Sequence, residues 1–166
     1  MVYLLIFFAI FLVIGPVLWL RPSKGEQALA ALRQAAIQTG AQIQPMNIRE
    51  DAVYSGILQR NPHLGDHKWI RYQWMAGPNE KGPALKDTWI QRKDPEEGLV
   101  WEPRSVHTEE DALVAAVLES WRTNQDVRFL ALELGPRNVC LVWNEKGSPQ
   151  EVAAFGESIK QLLKVN

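Results

Sequence analysis

The sequence predicts an α+β protein in which an N-terminal transmembrane helix precedes one small domain with a mainly antiparallel sheet and about four helices. Three observations support this prediction: an uncharged apolar run at 2–20, serine-led helix starts, and two almost continuously apolar strands at 127–134 and 139–143. The residues that follow the run are enough for one hydrophobic core. We therefore divide the chain into a transmembrane anchor at 1–20, a membrane-proximal helix at 21–40 and a soluble α+β domain at 41–166.

The apolar run at 2–20 has the length of a membrane-spanning helix. At the α-helical rise of about 1.5 Å per residue it would extend about 28 Å, close to the thickness of a bilayer's hydrocarbon core. Tyr3 and Trp19 lie near its two ends, where aromatic side chains favour the headgroup region, and Arg21 ends it. The alternative, a cleaved signal peptide, fits less well, because no basic residue precedes the run and the nearest small-x-small triplet lies beyond several charged residues.

The basic residues next to the run predict its orientation. Arg21, Lys24 and Arg33 follow it closely, and no Lys or Arg precedes it. By the positive-inside rule the N-terminus lies outside and the domain lies in the cytoplasm, so we expect a single-pass protein of the inner (plasma) membrane. The single cysteine, Cys140, agrees with a reducing compartment, because one thiol cannot form an intramolecular disulfide. The candidate anchor residues are Tyr3, Trp19, Arg21 and Lys24.

Capping signals predict the helices. Two helices begin with a serine followed three residues later by a glutamate, a capping box in which each side chain satisfies a backbone amide of the other residue. Gly40 follows the first of them and supplies the residue that ends a helix in the left-handed conformation. The predicted helices run from Ser23 to about Thr39, over about 48–58, from about Thr108 to Trp121, and from Ser148 onward.

Apolar stretches bounded by Gly, Pro and Asn predict the strands. The stretches 127–134 and 139–143 are apolar at nearly every position, which is typical of central strands covered on both faces. A short strand at 41–44 is expected to end at Pro45, which has no amide proton for a sheet. The other predicted strands are 68–75, 88–92 and 99–101.

The charge distribution limits the possible partners. A formal net charge of −1 argues against general nucleic-acid binding. The charge is uneven, since 21–93 has 11 Lys or Arg against 6 Asp or Glu, whereas 94–166 has 7 against 13. The basic half could face anionic lipid headgroups. Alternatively, the two halves fold together and neutralise each other, which we favour.

Few residues indicate chemistry. His63 and His67 are four residues apart, which would allow a shared metal on a helix, but Pro62 and Gly65 argue against a regular helix there. His107 precedes an acidic helix start that explains its neighbours without catalysis. We therefore expect no catalytic residue, no metal, no cofactor and no enzymatic activity.

Tryptophan is the most distinctive component of the domain. Trp69 and Trp89 alternate with Arg71 and Arg92 on short predicted strands, so at least one indole is expected to be exposed. Tryptophan combined with arginine is typical of binding hot spots. The binding candidates are Trp69, Arg71, Trp89 and Arg92, although a tryptophan-rich core with basic edges explains the same composition.

The N-terminal segment carries one resemblance. The run Val17-Leu18-Trp19-Leu20-Arg21-Pro22, which leads from the apolar run into a polar helix, resembles the start of YajC, a small single-pass accessory protein of the bacterial preprotein translocase. The resemblance covers roughly the first 35 residues and transfers no functional residue. It implies a non-enzymatic, accessory role beside membrane machinery.

The expected function is a membrane-tethered, non-enzymatic interaction module of an inner-membrane complex. Its expected partners are the lipid bilayer and another membrane or cytoplasmic protein. The alternative is a lipid- or small-ligand-binding domain that uses the Trp-containing strands and a basic face, and a hydrolase-type enzyme is a third possibility. Oligomeric state is not indicated by the sequence.

Overall fold

The computed structural model describes residues 3, 6–8, 10–12, 14, 22–83, 86–94, 96, 98–105, 112–121 and 129–164. Within these residues the fold is α+β, with helices around a six-stranded sheet. The helices are α1 (Lys24–Gln38), α2 (Ser55–Arg60), a 3-10 helix (Pro62–Asp66), α3 (Ala112–Trp121) and α4 (Pro149–Leu163). The strands are β1 (Gln42–Met46), β2 (Trp69–Met75), β3 (Thr88–Asp94), β4 (Gly98–Pro103), β5 (Phe129–Leu134) and β6 (Asn138–Trp143).

Capping boxes begin α1 and α4, as predicted. The Ser23 hydroxyl accepts from the Glu26 amide at 3.2 Å, and the Glu26 carboxylate accepts from the Ser23 amide at 2.7 Å. Ser148 and Glu151 form the same pair at the start of α4. Gly40, with a φ of +90°, follows α1 in the left-handed conformation that its missing Cβ permits.

The strands are arranged in the order β1-β2-β6-β5-β3-β4, and each described pairing is antiparallel. The two continuously apolar strands, β5 and β6, occupy central positions, which confirms that prediction. The predicted end of β1 at Pro45 is wrong, because the strand continues to Met46. It is an edge strand, where the missing amide proton of proline costs little.

An apolar cluster lies on each face of the sheet. On the first face α1, α3 and α4 pack against Tyr72, Trp74 and neighbouring residues. On the second face Trp69 and Val142 pack against the segment that includes α2 and the 3-10 helix. A β-bulge in β5 changes the register between Phe129 and Ala131, and it leaves Phe129 in the first cluster and Ala131 in the second.

The second predicted helix, at 48–58, begins later than expected. Turns occupy its first part, and α2 starts only at Ser55. The Asn47 side chain accepts from the Arg49 amide at 3.2 Å, and the Asp51 side chain accepts from the Val53 amide at 2.9 Å. These local bonds stabilise turns in competition with a helix, which explains the difference.

The prediction of a transmembrane helix is wrong for the part of the chain that the structure describes. No helix there is both long enough and apolar enough to cross a membrane. The longest described helices, α1 and α4, have 15 residues each and extend about 22 Å, which is short of the span required. The single-pass and inner-membrane predictions, with their N-terminus-outside orientation, depended on this helix and are corrected with it.

The four candidate anchor residues are placed as follows. Tyr3 is exposed, and Lys24 is the first residue of α1. Trp19 and Arg21 lie outside the described residues, as does most of the predicted span. The helix expected next to the membrane is instead part of the folded domain, since Leu32 and Ala36 of α1 are buried in the first apolar cluster.

Candidate ligand-binding site

A pocket of about 420 Å³ opens on the second face of the sheet. One wall is formed by α2 and the 3-10 helix, and the other by β3 and β4. Its size lies within the range of small-molecule sites, about 300–1,000 Å³. The lining residues are Ile57, Arg60, Asn61, His63, Leu64, Ile90, Gln91, Arg92, Glu102 and Pro103.

The lining combines apolar side chains with charged ones. Ile57, Leu64 and Ile90 are half-buried, so part of each is in contact with the domain and part is open to a ligand. Arg60 and Arg92 are exposed and line the same pocket. A pocket that is mainly apolar with a few orienting polar groups is the usual form of a small-molecule site.

The helical wall is fixed to the sheet by packing and by one hydrogen bond. Ile57 and Leu64 pack against the second apolar cluster, which contains the buried Trp69 and Leu130. The Trp69 indole donates to the Leu64 carbonyl at 2.7 Å. Trp69 therefore holds the 3-10 helix, one part of the pocket wall, on the sheet.

A polar cluster holds the segment before α2 on the sheet. The Arg71 guanidinium donates to Glu133 at 2.9 Å and to Asp51 at 3.1 Å, and the Tyr54 hydroxyl also donates to Glu133. Burial and the nearby Glu133 charge raise the pKa of Tyr54 well above its usual range. Burial alone would lower the pKa of Arg71, but the Glu133 charge and the hydrogen bonds to Glu133 and Asp51 together outweigh burial, so the pKa is raised. Tyr54 stays neutral and Arg71 stays charged, as a structural role requires.

The sheet wall carries an ion pair. The Arg92 guanidinium lies 2.5 Å from the Glu102 carboxylate and 3.7 Å from Asp94. Arg92 is on β3 and Glu102 on β4, so this pair links the two strands of the hairpin at the pocket. Gly98, with a φ of +81°, starts β4 at the turn between them.

The structure separates the four binding candidates. Trp69 and Trp89 are both buried, which corrects the expectation that one is exposed, and they belong to different apolar clusters on opposite faces. Arg71 belongs to the polar cluster that holds the segment before α2 on the sheet and does not line the pocket. Arg92 alone of the four lines the pocket. The role of these residues in binding stays a prediction.

The histidine candidates are also separated. His63 lies on the 3-10 helix and lines the pocket, whereas His67 follows that helix and packs edge-on against Trp69. Residues four apart do not share a face on a 3-10 helix, which has three residues per turn. Among the described residues no group of three His, Cys, Asp or Glu could hold a metal ion. His107 lies outside the described residues.

Cys140 is buried in β6, on the same face as Glu133. The Asn138 side chain donates to its sulfur at 3.2 Å. Burial, with the Glu133 charge, raises the pKa of the thiol to about 11. The thiolate that a nucleophile requires is therefore disfavoured.

Sequence reasoning missed most of the pocket. The sequence does not predict Arg60, Ile90 or Glu102 as site residues, because each is an ordinary residue for its own helix or strand. Among the lining residues, the sequence marks His63, as a metal candidate, and Arg92, as a binding candidate.

No protein-family model, no curated protein and no solved structure matches this chain. The resemblance of its first residues to YajC stays a prediction.

Proposed function

We propose that this domain is a non-enzymatic binding module that takes a small organic ligand into the pocket between α2, the 3-10 helix and the β3–β4 hairpin. The observation that carries the proposal is the form of the pocket: about 420 Å³, with a mainly apolar lining that also includes charged residues. The interaction role expected from the sequence stays a prediction.

The apolar lining provides the main driving force. Each 40 Å² of apolar surface that a ligand covers contributes about 1 kcal/mol, before the cost of fixing the ligand is subtracted. Ile57, Leu64 and Ile90 come from three separate elements, so a ligand in the pocket would contact both walls at once. Such contacts favour binding of a compact or short-chain apolar group.

The ionisable side chains support binding rather than catalysis. Glu102, the carboxylate of the lining, is engaged by Arg92. Cys140 and Tyr54 have raised pKa values, which makes both poor nucleophiles or bases near neutral pH.

A neutral solvatochromic dye tests the proposal. Nile red should bind the wild-type domain saturably, and Ile57→Trp, which fills the pocket with an indole, should weaken this binding at least about tenfold. Ile37→Trp is the matched control, because Ile37 is exposed on α1 and does not line the pocket. Equal dye affinity in all three proteins would overturn the proposal.

A further inference from the structure

The two walls of the pocket differ in how their charged side chains are engaged. On the sheet wall Arg92 and Glu102 bind each other at 2.5 Å. On the helical wall Arg60 and His63 are both exposed, and neither side chain has a hydrogen bond or ion pair to another described residue. The charged side chains of the sheet wall therefore bind each other, whereas the donors of the helical wall have no partner among the described residues.

We propose that the ligand is an amphipathic carboxylate, whose headgroup binds Arg60 and His63 and whose apolar body lies on Ile57, Leu64 and Ile90. This inference rests on the proposed function and adds the chemical class of the ligand. The guanidinium presents a planar fork of donors that matches the two oxygens of a carboxylate.

The number of available donors distinguishes a carboxylate from other headgroups. One free guanidinium and one imidazole match a single negative charge with two acceptor oxygens. A doubly charged phosphate ester would need further cations, and Arg92 is already bound to Glu102 and close to Asp94. A cationic headgroup would meet Arg60 without a free carboxylate among the described lining residues.

The placement of the apolar residues agrees with this orientation. Arg60 ends α2 and His63 lies in the first turn of the 3-10 helix, while Ile57 is one turn earlier on α2. A carboxylate at the end of α2 thus leaves the rest of the ligand next to Ile57 and, across the pocket, Ile90. The ligand class that fits is a short- to medium-chain organic acid.

Displacement of Nile red by decanoate and by decan-1-ol tests the headgroup. The two probes share an apolar chain and differ in charge. Arg60→Gln should raise the dissociation constant for decanoate at least about fivefold and leave that for decanol unchanged, because only the acid uses the guanidinium. His63→Gln should act in the same direction with a smaller effect.

Arg49→Gln is the control for general charge effects. It removes the same charge from the neighbouring turn, where Arg49 lies 3.9 Å from Asp66 and outside the pocket lining. It should leave decanoate binding unchanged. Equal losses in Arg49→Gln and Arg60→Gln would overturn the headgroup assignment.

The two proposals fail in different ways. If decanol and decanoate both displace the dye and Arg60→Gln weakens neither, the carboxylate assignment is wrong while the pocket stays a ligand site. If neither probe displaces the dye and Ile57→Trp does not weaken dye binding, both proposals are wrong.

Discussion

The Tyr54 hydroxyl donates a hydrogen bond to the Glu133 carboxylate, which ties the residue before α2 to the central strand β5. Arg71 of β2 binds the same carboxylate at 2.9 Å. Three segments distant in sequence therefore meet at Glu133. Because α2 forms part of the pocket wall, the contact that stabilises the domain at Glu133 also holds one wall of the candidate site in place.

Tyr54→Phe should lower the free energy of unfolding by about 1.5 kcal/mol, the usual worth of a hydrogen bond to a charged group. The buried ring keeps its packing in phenylalanine, so the hydroxyl is the main loss. Urea unfolding at pH 7 measures the change. Tyr3→Phe, at an exposed position, should have no effect, and an unchanged midpoint for Tyr54→Phe would show that Arg71 alone satisfies Glu133.

Alkaline solution should destabilise the domain. Burial raises the pKa of Tyr54, Tyr72 and Cys140 above their ordinary values of 10.0, 10.0 and 9.0. Their contribution to stability is therefore complete below about pH 9 and is lost as the pH rises toward the folded-state values. Unfolding free energies at pH 8, 10 and 11 should decline in that order.

Tyr54→Phe should decline less steeply than wild type between pH 10 and 11, because one of the three groups is removed. Tyr72→Phe, which loses the 2.7 Å bond to Glu145, should also flatten the decline. Parallel declines in the wild type and both variants would contradict the assignment.

Two glycines in helices should respond oppositely to alanine. A Cβ at Gly156 of α4 would lie 2.6 Å from the Thr39 Cβ, whereas nothing lies within 4 Å of one at Gly56 of α2. Alanine gains about 1 kcal/mol of helix propensity at either site. At Gly156 overpacking costs about 1–3 kcal/mol or more and outweighs this gain, since Thr39 also accepts from the Trp74 indole at 3.0 Å.

Thermal unfolding of both variants tests this difference. Gly56→Ala should raise the midpoint and Gly156→Ala should lower it. A rise in both would mean that α1 and α4 can separate at Thr39 without cost.

The Cys140 thiol should be unreactive in the folded protein. It is 3 % exposed, and burial raises its pKa to about 11, so both access and thiolate formation are restricted. Labelling with a thiol reagent at pH 8 should be at least about 100-fold slower than in urea. Rapid labelling of native protein would show that β6 opens readily on the second face.

The secondary structure was predictable where its causes are local. The capping boxes at Ser23 and Ser148 act over three residues, and both helices begin where those pairs predict. Continuous apolar character predicts the strand at 139–143, because it indicates coverage on both faces. By contrast, α2 starts late, since Asp51 stabilises a turn that periodicity does not reveal.

The candidate site was hardly predictable. The sequence pattern joins Arg92 with Trp89 as binding candidates, yet Trp89 faces the first apolar cluster while Arg92 lines the pocket on the other side of the sheet. A composition rich in Trp and Arg does not reveal which face each side chain takes. Arg60 and Ile90, which the proposals require, are 30 residues apart in the sequence.

The sequence by itself determined that the domain contains both helices and strands, where α1 and α4 start, and that β5 and β6 are central strands. Only the tertiary structure decided the strand order, the burial of Trp69 and Trp89, and the absence of a membrane-spanning helix among the described residues. It also created the pocket. Capping and periodicity depend on neighbours within a turn or two, whereas a pocket depends on long-range contacts such as that between Tyr54 and Glu133.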